Sequence, residues 1–358
     1  MAKHFAFILF EFSHRPMRRA RRAPRRHPSA CGLIGFLALL LPSIAFAQFS
    51  MIEDLEPRYE WRGRLGTDFL YEFETDTDGG DEFDSWRLGV GGDFGGPINE
   101  SILMGFHGRY QYAHYDFSLD NGAFPSANYG TNELPKEPWG DINTVDLAPT
   151  TTILVGDRFS VVAAVPIRWS GEVGADRNGF IAGISALAGW RITDDLSVGL
   201  GIGVSSQIEG DAETFPVIAL DWRIREGLRI STEGSWVQGG STGLYWGPND
   251  HLALAFTVGY ERNRFRLDDN GTLADTNGVG EVTAVPIELG LRIRLAEEAY
   301  LDLRAGLGVA GRFRVEDDRG HKLYDQEYDP APRVGIAIKI PIGGSGSRAT
   351  TGTSTEDW

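Results

Sequence analysis

Histidine is scarce where chemistry would need it. Beyond residue 47 the chain has only His107, His114, His251 and His321, and none has a neighbour at metal-ligand spacing. His107 and His114 stand seven apart, which on a strand puts them on opposite faces. No His-Glu-x-x-His occurs, so no zinc-bound water is written locally. A lipid-cleaving barrel enzyme would need serine and histidine at a lipid-facing rim with a third group to orient them. His107 or His251 could be recruited, but nothing converges on either. The single Cys31 excludes a disulfide framework and any Cys-based zinc or iron–sulfur centre. The expectation is therefore a protein that is not an enzyme and carries no cofactor, apart from the ion considered next.

Carboxylates are the abundant polar chemistry. Asp76, Asp78, Asp81, Glu82 and Asp84 cluster in one segment, Asp268, Asp269 and Asn270 in another, and Glu316, Asp317 and Asp318 in a third. Oxygen-rich loops can hold Ca²⁺. Gly79 follows Asp76 too early for the EF-hand spacing, which favours a solvated acidic rim and leaves Asp76, Asp78 and Asp81 as candidate Ca²⁺ ligands. A further set of charges is spaced differently. Arg168, Arg191, Asp221, Arg223, Glu288, Arg292, Arg294, Asp302 and Arg304 each alternate with apolar neighbours. They are the candidate lining of a polar lumen.

Those charges must be positioned by strands. From Leu65 to Ile342 the dominant pattern has period two. In Leu196–Val204 the apolar Leu196, Val198, Leu200, Ile202 and Val204 share one face, against Ser197, Gly199, Gly201 and Gly203. The same alternation runs through residues 252–261, 285–295 and 301–309. Glycine, 46 of 358 residues, is nearly twice its usual share of about 7%, and no long helix tolerates that. The strands read as about 9–12 residues, the length a tilted strand needs to cross a bilayer. Short turns near residues 95–97, 156–158, 193–195, 225–227, 247–250 and 296–299 alternate with longer polar loops at 75–85, 118–140, 171–179, 209–213, 268–280 and 316–330.

Short, long, short, long is the order of a transmembrane antiparallel up-and-down β-barrel. The count is about 14 strands, within 12–16, with both termini at the short-turn end. A secreted sandwich is the competing architecture. Strand length, loop alternation and aromatics near strand ends (Trp61, Tyr71, Trp86, Trp169, Trp190, Trp222 and Tyr260) favour the membrane barrel. Pro166, Pro216 and Pro286 fall inside strand patterns, where bulges or rim positions are needed to tolerate them.

The N-terminus is an address. Seven arginines between Arg15 and Arg26 precede an apolar run from Cys31 to Leu41 and the small-x-small site Ala45-Phe46-Ala47. This is the pattern of a cleaved signal peptide spanning residues 1–47, and Met17 is an alternative start. Removing those 47 residues, with eight of the 34 basic and one of the 50 acidic residues, leaves 311 residues at net charge −23. That balance excludes a nucleic-acid footprint. Only Lys136, Lys322 and Lys339 among the remaining basic residues are lysine, a bias that suits charges held inside a structure. Residues 48–342 form the barrel and 343–358 a polar, disordered tail.

The C-terminal half carries a resemblance. Gly280-Glu281-Val282-Thr283-Ala284-Val285-Pro286-Ile287, Leu301-Asp302-Leu303-Arg304-Ala305-Gly306, Arg312-Phe313-Arg314-Val315 with Gly320, and Tyr328-Asp329-Pro330-Ala331-Pro332 resemble an uncharacterised family of outer-membrane β-barrels, labelled only as a domain of unknown function. The likeness covers roughly residues 200–342 well and the earlier strands loosely. A fainter similarity runs to barrels proposed as transporters in aromatic-compound degradation. The resemblance implies an outer-membrane location and supplies no site residues. The last strand, Arg333 to Ile340, departs from many such barrels by ending in isoleucines rather than an aromatic residue. The expected function is a passive pore or uptake channel for small polar or aromatic solutes in a Gram-negative-type outer membrane. Its expected partners are outer-membrane lipid and the barrel-assembly machinery, and its oligomeric state is open. The alternatives are a closed structural or surface-binding barrel with acidic, cation-binding outer loops, and an outer-membrane lipid enzyme.

Overall fold

The computed structural model describes residues 45–46, 61–78, 80–118, 138–176, 178–235, 239–249, 251–269, 276–296 and 299–342. The leader, apart from Ala45 and Phe46, and the tail lie outside the described residues. The described strands from Arg62 to Ile342 form one compact unit, the barrel.

Fourteen antiparallel strands close on themselves. They are β1 (Arg62–Asp76), β2 (Glu82–Asn99), β3 (Ile102–Ser118), β4 (Asp141–Val155), β5 (Phe159–Ala164 and Ile167–Glu172), β6 (Phe180–Thr193), β7 (Leu196–Ser205), β8 (Glu213–Arg225), β9 (Leu228–Ser235), β10 (Gly239–Asn249), β11 (Leu252–Arg266), β12 (Val279–Ala296), β13 (Ala299–Glu316) and β14 (Lys322–Tyr328 and Ala331–Ile342). Each pairs with the next, and β14 closes on β1 from Arg333 opposite Glu72 to Ile342 opposite Gly63.

Alternation sets the faces. Along β7, Ser197, Gly199, Gly203 and Ser205 are buried while Leu200 and Ile202 are exposed. Exposed aliphatics such as Leu88, Val90, Val161, Ile184 and Leu289 make an apolar outer band. Phe94, Phe106, Phe159, Trp190, Trp222 and Trp246 edge it at the short-turn end, with Phe159 stacked on Trp190 at 5.6 Å. Phe73, Trp169 and Phe180 edge it at the other. From Phe159 to Trp169 the chain runs about 33 Å along the strand, or about 25 Å across a bilayer at a tilt of about 40°. An apolar band between two aromatic girdles is the pattern of a transmembrane β-barrel.

At the long-loop end the strands outrun the expected 9–12 residues. β2, β12 and β13 each reach 18 residues, and the expected 316–330 loop contains the strand segment Lys322–Tyr328. Interruptions fall at one level of β11 to β14. The β11–β12 ladder skips from Val258–Ile287 to Glu261–Ala284. The β12–β13 ladder shifts register between Thr283 and Val285, where Ala310 takes φ 51°. β14 breaks at Asp329-Pro330. Bulges bend the strand that carries them. Here they let the end of β11 turn in across the mouth, where Arg266 pairs in parallel with Gly171 on β5.

All three prolines fit these breaks. Pro166 lies between the two segments of β5. Pro286 sits where the β11–β12 ladder skips. Pro216 lies in the part of β8 that pairs with β7 but not with β9. The β8–β9 ladder holds only from Arg225–Leu228 to Asp221–Ser231, so Glu213–Leu220 is a local edge on that side. Ala45–Phe46 pairs in parallel with Val217–Ile218 there. Proline is tolerated on an edge because its missing N–H has no ladder bond to make.

Candidate functional site: the occluded lumen

The face opposite the apolar band is charged and built from ion pairs. Arg168 on β5 is buried and holds Asp146 on β4 through Nε at 2.7 Å and Nη2 at 3.0 Å. Arg292 on β12 grips its in-register partner Asp302 at 2.7 and 3.0 Å. Asp221 on β8 accepts from Arg229 on β9 at 2.7 and 2.9 Å, fastening the last paired stretch of that seam. Bidentate guanidinium–carboxylate geometry of this kind fixes both side chains.

Halfway up, a larger cluster crosses the interior. Arg333 reaches Glu261 at 2.9 Å, Glu288 at 2.8 Å and Glu72 at 3.5 Å. Arg87 on β2 reaches Glu261 on β11 at 3.1 Å, although β1, β14, β13 and β12 intervene around the wall. Arg304 lies 4.0 Å from Glu288, and Ser85 donates to Glu72 at 3.0 Å. Towards the long-loop end this cluster gives way to an apolar core inside the barrel, made of Phe83, Tyr115, Phe117, Trp139, Phe265, Phe313 and Tyr328. Phe83 meets Phe313 at 4.5 Å between ring centroids, and Trp139 meets Phe265 at 5.2 Å. Rings from β2 and β3 thus pack on rings from β11 and β13 across the mouth. The reverse face of the inturned end of β11 is fastened by ions. Arg262 bonds Glu213 at 2.6 Å, Arg264 bonds Glu281 at 3.1 Å, and Arg266 bonds Glu209 at 2.6 Å.

The nine charges read from the sequence fall on the inward face but do not form one site. Glu288 and Arg304 join the central cluster, and Arg292 meets Asp302. Arg168 and Asp221 have separate partners. Arg223, 3.8 Å from Asp195, and Arg191, in register with Ser197, stand near the short-turn rim, as does Arg294, in register with Tyr300. The sequence reading missed Glu72, Arg87 and Arg333, and it put Glu261 on the polar face of its strand without singling it out as lumen lining. For Glu72, Arg87 and Arg333 the signal was present, since each stands beside an apolar or aromatic neighbour in an alternating run. Of the candidate Ca²⁺ ligands, Asp76 and Asp78 are exposed and Asp81 is fully buried. Among the described residues no group of three His, Cys, Asp or Glu side chains is placed to hold a metal. His107 faces the lumen, bonded to Asp93 at 2.8 Å, and His114 faces outward, bonded to Asp141 at 2.6 Å.

No family model matches the chain, and no curated protein matches it. Among solved structures, an outer membrane channel from Pseudomonas putida F1 aligns with TM-score 0.42 and 11% identity over 78% of this chain and 96% of that one. A Pseudomonas aeruginosa FadL homologue aligns with TM-score 0.42 and 12% identity over 82% and 94%. The P. putida toluene transporter TodX aligns with TM-score 0.41 and 9% identity over 84% and 96%.

Proposed function

We propose that the chain is an outer-membrane uptake channel for small polar or aromatic solutes, held shut at its outer mouth. One observation carries this reading: a ladder of charged pairs lines the inside of a wall whose outside is apolar. A polar lumen through an apolar wall gives solutes a path that lipid denies them. The membrane is the outer membrane of a Gram-negative-type bacterium, lipid meets the exposed band, and the barrel-assembly machinery inserts it.

A second reading, a closed structural barrel, draws on the aromatic core packed across the mouth. Single-channel recording of the mature chain from Gln48, refolded in detergent and added to a planar bilayer, separates the two. The channel reading expects brief openings from a mostly closed baseline. A folded, inserted protein that never conducts, even after the aromatic core is trimmed, would establish the closed barrel. The lipid-enzyme reading requires acyl-chain release that His107→Ala or His251→Ala abolishes. The inward orientation of His107 speaks against its share in that chemistry.

A further inference from the structure

The turn between β1 and β2 contains a carboxylate that the fold leaves without a donor. Asp81 is fully buried, and neither Oδ1 nor Oδ2 has a hydrogen-bond partner. Thr77 Oγ1 in the same turn, and Gln326 Oε1 on the first segment of β14, are also buried and unpartnered. The backbone sets Thr77 and Asp81 opposite one another. Thr77 N donates to Asp81 O at 2.7 Å, and Gly80 N to Thr77 O at 2.9 Å. Thr77 is bridged antiparallel to Tyr328, and Asp78 N donates to Glu327 O at 3.0 Å. That bridge holds the turn beside the outer segment of β14, which carries Tyr324 and Gln326. Burial, and the Asp81 charge beside it, raise the pKa of the Tyr324 hydroxyl above its ordinary value.

A buried charge is normally paired or bound to a metal. The basic groups of this corner do not serve Asp81. Arg312, Arg314 and Lys322 all engage Asp325, on the opposite face of the β14 segment from Tyr324 and Gln326. Every unpartnered atom named here is an oxygen, and an all-oxygen set suits a hard cation. We propose that Asp81, Thr77 and Gln326 form a binding site for a hard divalent cation of the Ca²⁺ type. Asp81 offers two oxygens and the others one each, and water fills the remaining positions of a cation that takes 6–8 ligands. Mg²⁺ fits less well, because it sheds water reluctantly and demands octahedral geometry.

The site would pin the β1–β2 turn to the outer segment of β14. Phe83 and Tyr328, 4.8 Å apart between centroids, flank that junction, so the cation would steady the aromatic core. That consequence rests on the channel reading, whereas the site itself does not.

The test uses the mature chain, folded in detergent and stripped with a chelator. Tb³⁺ luminescence excited through tyrosine should saturate, be displaced by excess Ca²⁺, weaken in Tyr324→Phe and vanish in Asp81→Asn. Ca²⁺ should raise the Tm of the wild type and leave Asp81→Asn unmoved. If Asp81→Asn fails to fold, Thr77→Val should weaken Ca²⁺ affinity at least several-fold. Emission that Ca²⁺ does not displace, a wild-type Tm indifferent to Ca²⁺, or full retention of both effects in Asp81→Asn or Thr77→Val would overturn the site. A Tm that responds to Na⁺ against choline but not to Ca²⁺ would overturn the divalent assignment. Channel silence would leave all of these readouts intact, so failure of the site and failure of the pore are distinguishable.

Discussion

At the scale of single residues, the interior charges differ in what they can lose. Arg333 is buried among Glu72, Glu261 and Glu288. Arg333→Ala removes the cation that three carboxylates share and leaves them only Arg87 and Arg304, and removing one partner of a buried pair costs about 3–5 kcal/mol. Denaturant unfolding followed by tryptophan fluorescence should show that loss, and a change below about 1 kcal/mol would mean water already screens the cluster. Asp317 is the opposite case, in the exposed loop between β13 and β14. Its slight burial would raise its pKa, but N–H donors from Arg319 at 2.9 Å and His321 at 2.8 Å, with the His321 ring, hold the carboxyl below its ordinary value. A depressed folded pKa means the contribution to loop order is fully present above the unfolded value of about 3.9 and disappears as pH falls through the folded one. Carboxyl titration by NMR should place the Asp317 midpoint below that of a model peptide. At neutral pH, trypsin should cut Asp317→Ala faster than wild type after Arg319 or Lys322. A midpoint at or above the peptide value, or equal cutting, would contradict the loop geometry.

At the scale of elements, period-two alternation revealed the strands, their number and the polar inner face. It could not reveal where the wall bends. Phe83, Phe265 and Phe313 are apolar residues that point inward, and alternation alone cannot tell a lumen-facing ring from a lipid-facing one. The segment Lys322–Tyr328 reads as a polar loop because its ladder with β13 is imposed by packing against the aromatic core rather than by its own pattern. Pro216 was legible only as a conflict until the open edge of β8 explained it. Two changes probe these elements. A Cβ on Gly311 would meet the Tyr328 ring at 2.0 Å, whereas one on Gly308 meets nothing closer than 3.5 Å. Gly311→Ala should therefore cost about 1–3 kcal/mol by overpacking, with Gly308→Ala near neutral, both read from the unboiled gel shift against temperature. Equal shifts would mean that Tyr328 is free to move aside. At the seam, Thr232 Oγ1 accepts from Leu220 N at 2.9 Å beyond the last ladder pair. Thr232→Val leaves that amide unpaired and should speed its hydrogen exchange, while amides of the β8–β7 ladder stay protected. Unchanged exchange at Leu220 would show that the hydroxyl does not close the seam.

At the scale of the whole molecule, the question is what sets the pathway once the mouth opens. Lumen arginines would favour anions, and acidic loops would oppose their entry. The structure changes the terms, because Arg168, Arg292, Arg333 and Arg87 all face carboxylates within salt-bridge distance, so the lumen wall is close to neutral pair by pair. Arg191, Arg223 and Arg294 remain at one rim, while the loops at the other are acidic and the expected mature chain is strongly negative. Exposed rim charges act through screened fields that fade within about 8–10 Å at physiological salt. Trimming the core with Trp139→Ala and Phe313→Ala removes the rings that bridge the two walls and should convert brief openings into long ones. Those openings should favour cations weakly, with the preference fading between low and high salt as the acidic rim is screened. A salt-independent preference for anions would mean that the paired arginines release their carboxylates in the open state. The central ion cluster, rather than the aromatic core, would then be the gate.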